Sequence, residues 1–339
     1  MGRVATPTRR AVLAGLAATS VVGCSGGARR LRIISGSGAG SASSHLLAIF
    51  ARHLHRYGID ASVEAVPRSG GKLAARHLFE APADGTVMAM LPTGLLYADL
   101  LREEGLTTDL AAFQWIGNFS SDRRVLMGRP GGTVRQFQDL AGRKRPMLLA
   151  TVSAVSPGYY EAAIVRYLTG ANIRSVPGYT GGARNFALIS GEMDGVIASI
   201  DGLTKLLAMP GATVLLRLNG LPIPPGTAGA PERAPLLRDV SRGVDAPALL
   251  DLVEGHAKLG RIVAMAPATP PAIVERWRTL FDLVIGDHGF RREAATAGFV
   301  IGGLNGAAVA NMLDELLHRR RSALVPALRR AIAAQPPIF

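Results

Sequence analysis

From Leu31 onward, short apolar runs alternate with longer stretches in which apolar residues recur at helical spacing. The run "LRIIS" precedes a stretch whose Leu46, Phe50 and Leu54 share one face of a helix, and Gly58 is a typical helix-ending residue. The runs "ASVEAV", "GTVMAML", "VLMGR", "MLLATVS" and "GVIASI" have strand length, with helical stretches between several of them. This alternation predicts an α/β fold built mainly on parallel sheet.

The first residues have the features of an export signal. Arg9 and Arg10 precede an apolar run, residues 11–23, that is shorter than the roughly 20 residues of a membrane-spanning helix. The run ends in "VVGC", which fits the lipobox of bacterial lipoproteins, and the stretch "TRRAVL" resembles a twin-arginine signal. We predict a signal peptide over residues 1–24 with lipidation at Cys24. An ordinary signal peptide, or a helix with a chance cysteine, is the alternative.

Composition limits the chemistry of the exported chain. Cys24 is the only cysteine, so the rest of the chain has neither a disulfide nor a cysteine nucleophile. The formal net charge is +13, to which Arg3, Arg9 and Arg10 of the signal contribute. A basic surface suits nucleic acid, an anionic bilayer or an anionic ligand, and export makes nucleic acid the weakest of these. General arginine usage in an Ala/Arg/Gly-rich sequence also accounts for much of the excess.

Glycine-rich turns follow several of the predicted strands. The first, "SGSGAGS" over residues 35–41, misses the dinucleotide fingerprint G-x-G-x-x-G because Ser41 stands at the third glycine position. What remains is a set of free backbone N–H groups at the positive end of a helix. Similar turns occur in "PRSGGK", "ATVSAVSPG" and "VPGYTGGARN". Four such turns favour donors that converge on a small anion, whereas one alone is an ordinary loop with a helix cap.

No catalytic constellation is recognisable in the sequence. The nucleophile elbow G-x-S-x-G does not occur, and His53 and His55 are two residues apart on a helix, so they face different ways. No carboxylate pair for acid–base chemistry can be identified. The sequence therefore predicts a binding protein that is not an enzyme and uses no cofactor and no metal.

An ordered series of segments resembles one known family. "VEAVPRSGGKLAA" is similar to V-x-N-x-P-G-A-G-G, "APADGTVMAM" to A-P-D-G-Y-T-L, and "MAPATPPAIVERW" to A-P-A-G-T-P-x-x-I-V-x-x-L. These motifs are typical of the Bug-type extracytoplasmic solute receptors of tripartite tricarboxylate transporters. The resemblance extends from about Leu31 to about Leu324, and "VPGYTGGARNFALISGEMDG" matches a further family segment in the same order.

The resemblance implies a type II periplasmic-binding-protein fold with two lobes that close on a carboxylate. We expect a tether over residues 25–30, lobe 1 over residues 31–127 together with 260–339, and lobe 2 over residues 128–259. In the family the ligand is held by loop amides, hydroxyls and water, without a dominant arginine. Carried over by position, the ligand-binding residues are Ser37, Gly40, Ser41, Ser43, Ser44, Thr93, Ser153, Ser156, Tyr179 and Ser199.

Two departures from the family pattern affect the expected ligand. The family aspartate that ends the first loop is Ser44 here, and its later strand aspartate is Ala198. Loss of two carboxylates makes an amino-acid ligand less suitable and a purely anionic ligand more suitable.

These observations predict a monomeric, periplasmic or cell-surface lipoprotein, anchored in the membrane by its lipid, that delivers a small carboxylate to membrane transporter subunits. The partners implied are the carboxylate, those subunits and the membrane, with no nucleic acid. A lipoprotein of the same fold that senses or scaffolds is the alternative. A dinucleotide-dependent enzyme is the competing class, and it requires a cytosolic location or a nucleophile–base pair.

Overall fold

The computed structural model describes residues 30–335. The predicted signal peptide, the lipidation site Cys24 and most of the tether lie outside the described residues. Within residues 30–335 no helix is both long enough and apolar enough to cross a membrane.

Five strands form a first sheet. They are β1 (Leu31–Ser35), β2 (Ala61–Ala65), β3 (Val87–Met90), β4 (Gln114–Asn118) and β10 (Ile262–Met265), and their order is β2-β1-β3-β10-β4. Strand β1 is parallel to β2 and β3, whereas β10 is antiparallel to both β3 and β4. Four strands of this sheet therefore point in one direction and β10 points in the other.

A second sheet repeats this plan. Its strands are β5 (Arg124–Gly128), β6 (Met147–Thr151), β7 (Ile173–Pro177), β8 (Gly195–Ser199) and β9 (Thr213–Arg217), in the order β7-β6-β8-β5-β9. Strand β6 is parallel to β7 and β8, and β5 is antiparallel to β8 and β9. The predicted two-lobed α/β fold is confirmed, with mixed sheets in which most strands share one direction.

Helices flank both sheets. Those before the second sheet are α1 (Ala42–Leu54), α2 (Lys72–Phe79) and α3 (Gly94–Leu101). Those that follow strands of the second sheet, before the chain goes back to the first sheet at β10, are α4 (Pro157–Thr169), α5 (Gly181–Ser190), α6 (Thr204–Leu207), α7 (Leu237–Val240) and α8 (Ala246–Leu259). The C-terminal part contains α9 (Pro271–Gly286), α10 (His288–Thr296), α11 (Gly306–Asp314) and α12 (Arg321–Ala333).

Helix α1 shows why the local sequence folds as it does. Ser41 caps it by accepting a hydrogen bond from the Ser44 backbone N–H, and its side chains Leu46, Phe50 and Leu54 are fully buried. After one further 3-10 turn the chain reverses at Gly58, whose φ of +75° is the left-handed conformation that glycine adopts readily. The helix and its predicted end are confirmed.

Strands in the middle of the sheets, such as β1 and β3, are buried on both faces, whereas the edge strand β2 has no fully buried residue. In β1, Ile33 packs with Phe50 and Phe281 on one side, whereas Ile34 packs with Leu78 on the other. Near-continuous apolar runs are typical of strands that helices cover on both faces. This explains why "LRIIS" and "VMAM" carry so little polar alternation.

The reversed strand of each sheet brings new residues to the edge where the parallel strands end. Arg124, the first residue of β5, pairs with Ser199, the last residue of β8. Ile262, the first residue of β10, pairs with Asn118, the last residue of β4. Residues just before β5 and β10 therefore lie at the carboxyl ends of the parallel strands, where open α/β sheets bind ligands.

The chain passes from the first sheet to the second between Asn118 and Arg124. Strand β5 belongs to the second sheet, although residues 124–127 stood in the predicted lobe 1. The chain returns to the first sheet at Ile262, close to the expected position 260. Assignment of these segments to two closing lobes stays a prediction.

Candidate functional site

Three loops that follow parallel strands lie against one another. A methyl group on Gly36, after β1, would stand 2.4 Å from Cδ of Pro92, after β3. A methyl group on Gly94 would stand 2.8 Å from Cδ of Pro157 and 3.2 Å from the carbonyl oxygen of Val155, both after β6. A loop of the first sheet therefore contacts a loop of the second sheet directly, and Thr93 and Ser156 are the residues that precede Gly94 and Pro157 at this contact.

A fourth turn joins this contact. The segment Arg68–Gly71 after β2 contains Gly70 in the left-handed region, and a methyl group there would stand 2.6 Å from Cγ2 of Val155. Val155 is thus held between two glycines of the first sheet, Gly70 and Gly94. One of the four glycine turns of the sequence, the turn of Gly70, therefore contacts a second, the turn of Val155, whereas Gly94 comes from the loop after β3.

In the loop after β1, Ser44 is a buried supporting residue. Its hydroxyl lies 2.7 Å from the Ser35 hydroxyl and donates to the carbonyl of Gly38 at 2.9 Å. Its backbone N–H donates to the Ser41 hydroxyl at 3.2 Å. Ser44 therefore shapes the loop from inside. Of the other predicted residues here, Ser37 and Ser43 are half-buried and Gly40 is exposed.

The turn before α4 is also closed by its own serines. The Ser156 hydroxyl donates to the Ser153 carbonyl at 2.7 Å, and the Val155 N–H donates to the Ser153 hydroxyl at 3.4 Å. Pro157 then starts the helix with a fixed φ and no N–H to satisfy. The Ser156 hydroxyl hydrogen is used within the turn, and the Tyr159 and Tyr160 N–H groups donate to the Ser156 carbonyl, which leaves the Gly158 N–H as the first-turn donor of α4.

Tyr179 is oriented away from this contact. Its backbone N–H donates to the Thr151 carbonyl at 3.0 Å, which ties it to the end of β6. Its hydroxyl donates to the carboxylate of Glu192, which follows the C-terminal end of α5, and this hydrogen bond raises the pKa of the phenol. The backbone of Tyr179, rather than its hydroxyl, therefore lies at the carboxyl ends of the strands.

Beside Ser199 lies a buried charge cluster that the sequence analysis missed. The Nε of Arg124 donates to both carboxylate oxygens of Glu161, at 2.9 and 3.0 Å, and its Nη1 lies 3.4 Å from Asp122. Burial raises the pKa of Glu161 against the opposing effect of Arg124. Burial also acts to raise the pKa of Asp122, but Arg124, Arg261 and the Ser199 hydroxyl outweigh it and the pKa is lowered.

Three rings complete this cluster. Tyr97 of α3 is stacked on Tyr160 of α4 with 4.9 Å between the ring centroids, and His256 of α8 lies 5.0 Å from Tyr97. Burial and the charge of Arg124 lower the pKa of His256 to about 3. His256 is therefore neutral at physiological pH, and its 3.5 Å contact with Glu161 is not an ion pair.

Two further polar contacts connect the sheets. Arg261, just before β10, lies 3.3 Å from the carboxylate of Asp201, which follows β8, and packs 5.4 Å from the ring centroid of Phe299. On the other side, Tyr160 of α4 donates to the carboxylate of Glu103, which also pairs with Lys72 at 3.0 Å. The converging loops are thus flanked by one polar contact on each side.

Arg184 is the other functional candidate that sequence reasoning missed. It lies in the first turn of α5, and its Nη2 donates to the Gly202 carbonyl at 3.4 Å. Four arginines follow or precede strands at the same sheet edges, namely Arg123, Arg124, Arg184 and Arg261. No motif in the sequence indicates that they come together. Strand direction is the missing signal, because it brings the starts of β5 and β10 to this edge.

The histidines of α1 lie elsewhere. A surface depression lined by His45, His53 and Arg56 is on the outer side of α1, where the His53 Nε2 lies 2.8 Å from Glu293. Among residues 30–335, no three His, Asp or Glu side chains are arranged to hold a metal ion.

Solved periplasmic binding proteins share this fold. An R. palustris protein solved with adipate is 17% identical, with a TM-score of 0.70 over 88% of this chain and 97% of its own. MatC from Rhodopseudomonas palustris, solved with bound malate, is 15% identical, with a TM-score of 0.67 over 87% and 98%. A TctC solute-binding protein from Polaromonas is 17% identical, with a TM-score of 0.63 over 89% and 98%.

These likenesses define the fold as that of a two-lobed periplasmic binding protein. No protein-family model and no curated protein sequence matches the chain. At 15 to 17% identity these likenesses show the fold, and they do not show the roles of individual side chains.

Proposed function

We propose that this chain is an extracytoplasmic solute-binding lipoprotein that captures a small carboxylate for a tripartite tricarboxylate-type transporter. One observation carries the proposal: loops from both sheets converge where Gly94 contacts Pro157, at the carboxyl ends of parallel strands. That is the position at which α/β sheets bind small ligands. The solved structures of the same fold that hold adipate and malate support the ligand class.

The chemistry of the loops suits an anion. Backbone N–H groups at the starts of α1, α4 and α5 provide donors at the positive ends of helix dipoles. Of the predicted ligand-binding residues, Ser37, Ser41 and Ser43 lie at the start of α1, and Ser153 and Ser156 lie at the start of α4. Ser44 and Ala198 replace carboxylates of the family pattern, so repulsion of a purely anionic ligand is reduced.

Two charge pairs near these loops are mutually compensated. Asp201 pairs with Arg261, and Glu161 pairs with Arg124. A nucleophile beside a general base is not part of this arrangement in residues 30–335, which favours a binding protein over an enzyme. We infer that the two lobes close on the ligand, and that the protein acts as a monomer at the membrane surface.

A ligand screen tests the proposal. A ligand that binds only the folded chain stabilises it by about 2.7 kcal/mol when present at a hundred times its Kd. We expect at least one compound in a panel of mono-, di- and tricarboxylates to raise the melting temperature of the full chain by several degrees. A panel without any shift, together with a shift from NAD or a divalent metal, would overturn the proposal in favour of an enzyme.

The proposed membrane attachment is based on the lipobox at Cys24, and the proposed role in transport is based on the ligand class. Changing Cys24→Ser should release the protein from membranes or leave the signal uncleaved. Intact-mass analysis of the wild-type protein should find acyl groups on residue 24. A mature N-terminus without acyl groups would remove the lipoprotein part of the proposal and leave ligand binding untouched.

A further inference from the structure

Arg184 occupies a defined place at the edge of the second sheet. It lies in the first turn of α5, which begins after β7, and its Nη2 reaches the carbonyl of Gly202 in the turn after β8. Strand β6 lies between β7 and β8 in the sheet. The Arg184 side chain therefore spans the carboxyl end of β6, the strand that leads into the Ser153–Ser156 turn.

The polar partners of Arg184 are neutral. Besides the Gly202 carbonyl, its Nε and Nη2 lie 3.2 and 3.1 Å from the Asn185 side-chain oxygen. Among residues 30–335, no carboxylate forms a salt bridge with it. The neighbouring arginines differ, because Arg124 is paired with Glu161 and Arg261 with Asp201.

A negative charge placed next to Arg184 would stabilise its guanidinium group. Burial, followed by repulsion from the charge of Arg124, lowers the pKa of Arg184. A partly desolvated cation without a counter-ion is unfavourable, and an anion that binds beside it removes that cost. The planar guanidinium also matches the geometry of a carboxylate better than a lysine does.

We propose that Arg184 is the specificity-determining residue that binds the second carboxylate of a dicarboxylate ligand. This inference rests on the proposed function, in which the first carboxylate is held by the loops around Ser41 and Ser156. A monocarboxylate uses only those loops. A dicarboxylate uses the loops and also supplies the counter-ion that Arg184 lacks.

The test compares matched acids on matched variants of the full chain. Calorimetric titration with adipate and hexanoate, and with glutarate and valerate, separates the second carboxylate from chain length. Arg184→Gln removes the charge, Arg184→Lys keeps it, and Arg76→Gln removes one charge from an exposed site on α2. Melting temperatures establish that each variant is folded.

We expect Arg184→Gln to weaken dicarboxylate binding about ten-fold or more, because it removes charged hydrogen bonds to the second carboxylate. Monocarboxylate binding should change less than about two-fold, Arg184→Lys should restore part of the loss, and Arg76→Gln should match wild type. Equal losses for both acid classes, or none, would overturn the role of Arg184 while the proposed function stands. A wild-type chain that binds no carboxylate at all would overturn both.

Discussion

Gly94, the first residue of α3, lies so close to Pro157, the first residue of α4, that a methyl group on the glycine would stand 2.8 Å from the proline Cδ. The two helices follow strands of different sheets, so this contact shows how closely the two parts of the chain approach each other. A glycine is required here for lack of space and not for its backbone conformation, since Gly94 has an ordinary φ. The contact can therefore be tested by adding a single carbon atom.

The substitution Gly94→Ala should force the starts of α3 and α4 apart. Overpacking of this kind costs about 1–3 kcal/mol, and we expect a lower melting temperature, a larger radius of gyration by X-ray scattering and weaker ligand binding. Gly286→Ala is the control, because a methyl group at that exposed helix position has nothing within 4 Å. If Gly94→Ala and Gly286→Ala behave alike, the two helix starts do not touch in solution.

His256 should make stability depend on pH. Its folded-state pKa of about 3 lies below the ordinary value of 6.5, so the unfolded chain binds a proton that the folded chain does not. The stability present above pH 6.5 is lost as pH falls towards 3, at up to about 1.4 kcal/mol per pH unit. Urea unfolding at pH 7, 6 and 5 should show this slope in wild type and a smaller slope in His256→Gln. Identical slopes in the two proteins would contradict a buried neutral histidine.

Changing one partner of the Arg124–Glu161 pair should cost more stability, relative to what each residue contributes alone, than replacing both partners together. Glu161→Gln leaves the buried Arg124 charge with only the longer contact to Asp122 at 3.4 Å, and breaking a buried pair typically costs about 3–5 kcal/mol. The double variant Arg124→Met with Glu161→Leu should lose clearly less stability than the sum of the single variants. Denaturant titrations of all four proteins measure this coupling, and simple additivity would exclude a direct ion pair.

The serines at two helix starts should affect binding more than folding. Ser41 and Ser156 hold the shape of their loops through hydrogen bonds to Ser44 and Ser153. We expect Ser41→Ala and Ser156→Ala each to weaken carboxylate binding by about ten-fold or more, at a stability cost of around 1 kcal/mol.

The control is Asn305→Ala, which removes the cap of α11, a helix that packs on β4 and contributes none of the predicted ligand-binding residues. It should melt earlier by a similar amount and bind normally. If all three variants behave like this control, the serines are helix caps only.

Local pattern predicted much of the fold but little of the charge arrangement. Helix α1 could be placed because the spacing of Leu46, Phe50 and Leu54 reports a buried face, and because Gly58 can end a helix. The pairing of Arg124 with Glu161 could not be placed, because β5 and α4 meet only through the sheet order. Hydrophobic periodicity does not encode strand direction. The reversed direction of β5 is what brings Arg124 to the carboxyl ends of the parallel strands.

The same limit applies to the serines. The motif predicts Ser44 as a ligand-binding residue of the loop after β1, but the direction of its hydroxyl is set by the hydrogen bond to the buried Ser35. The motif predicts Tyr179 as a ligand-binding residue, but its phenol points along α5 to Glu192. Sequence motifs locate a loop well, whereas the direction of each side chain depends on what packs under it.

Calorimetric titration of the full chain with the carboxylate that gives the largest thermal shift tests the central claim most directly. The account predicts one ligand per chain, saturable binding and a negative heat-capacity change if closure buries apolar surface. It also predicts weaker binding of the same compound by Gly94→Ala, and unchanged binding by Gly286→Ala. Absence of binding heat for every carboxylate at several temperatures, in a protein that melts cooperatively, would contradict the account.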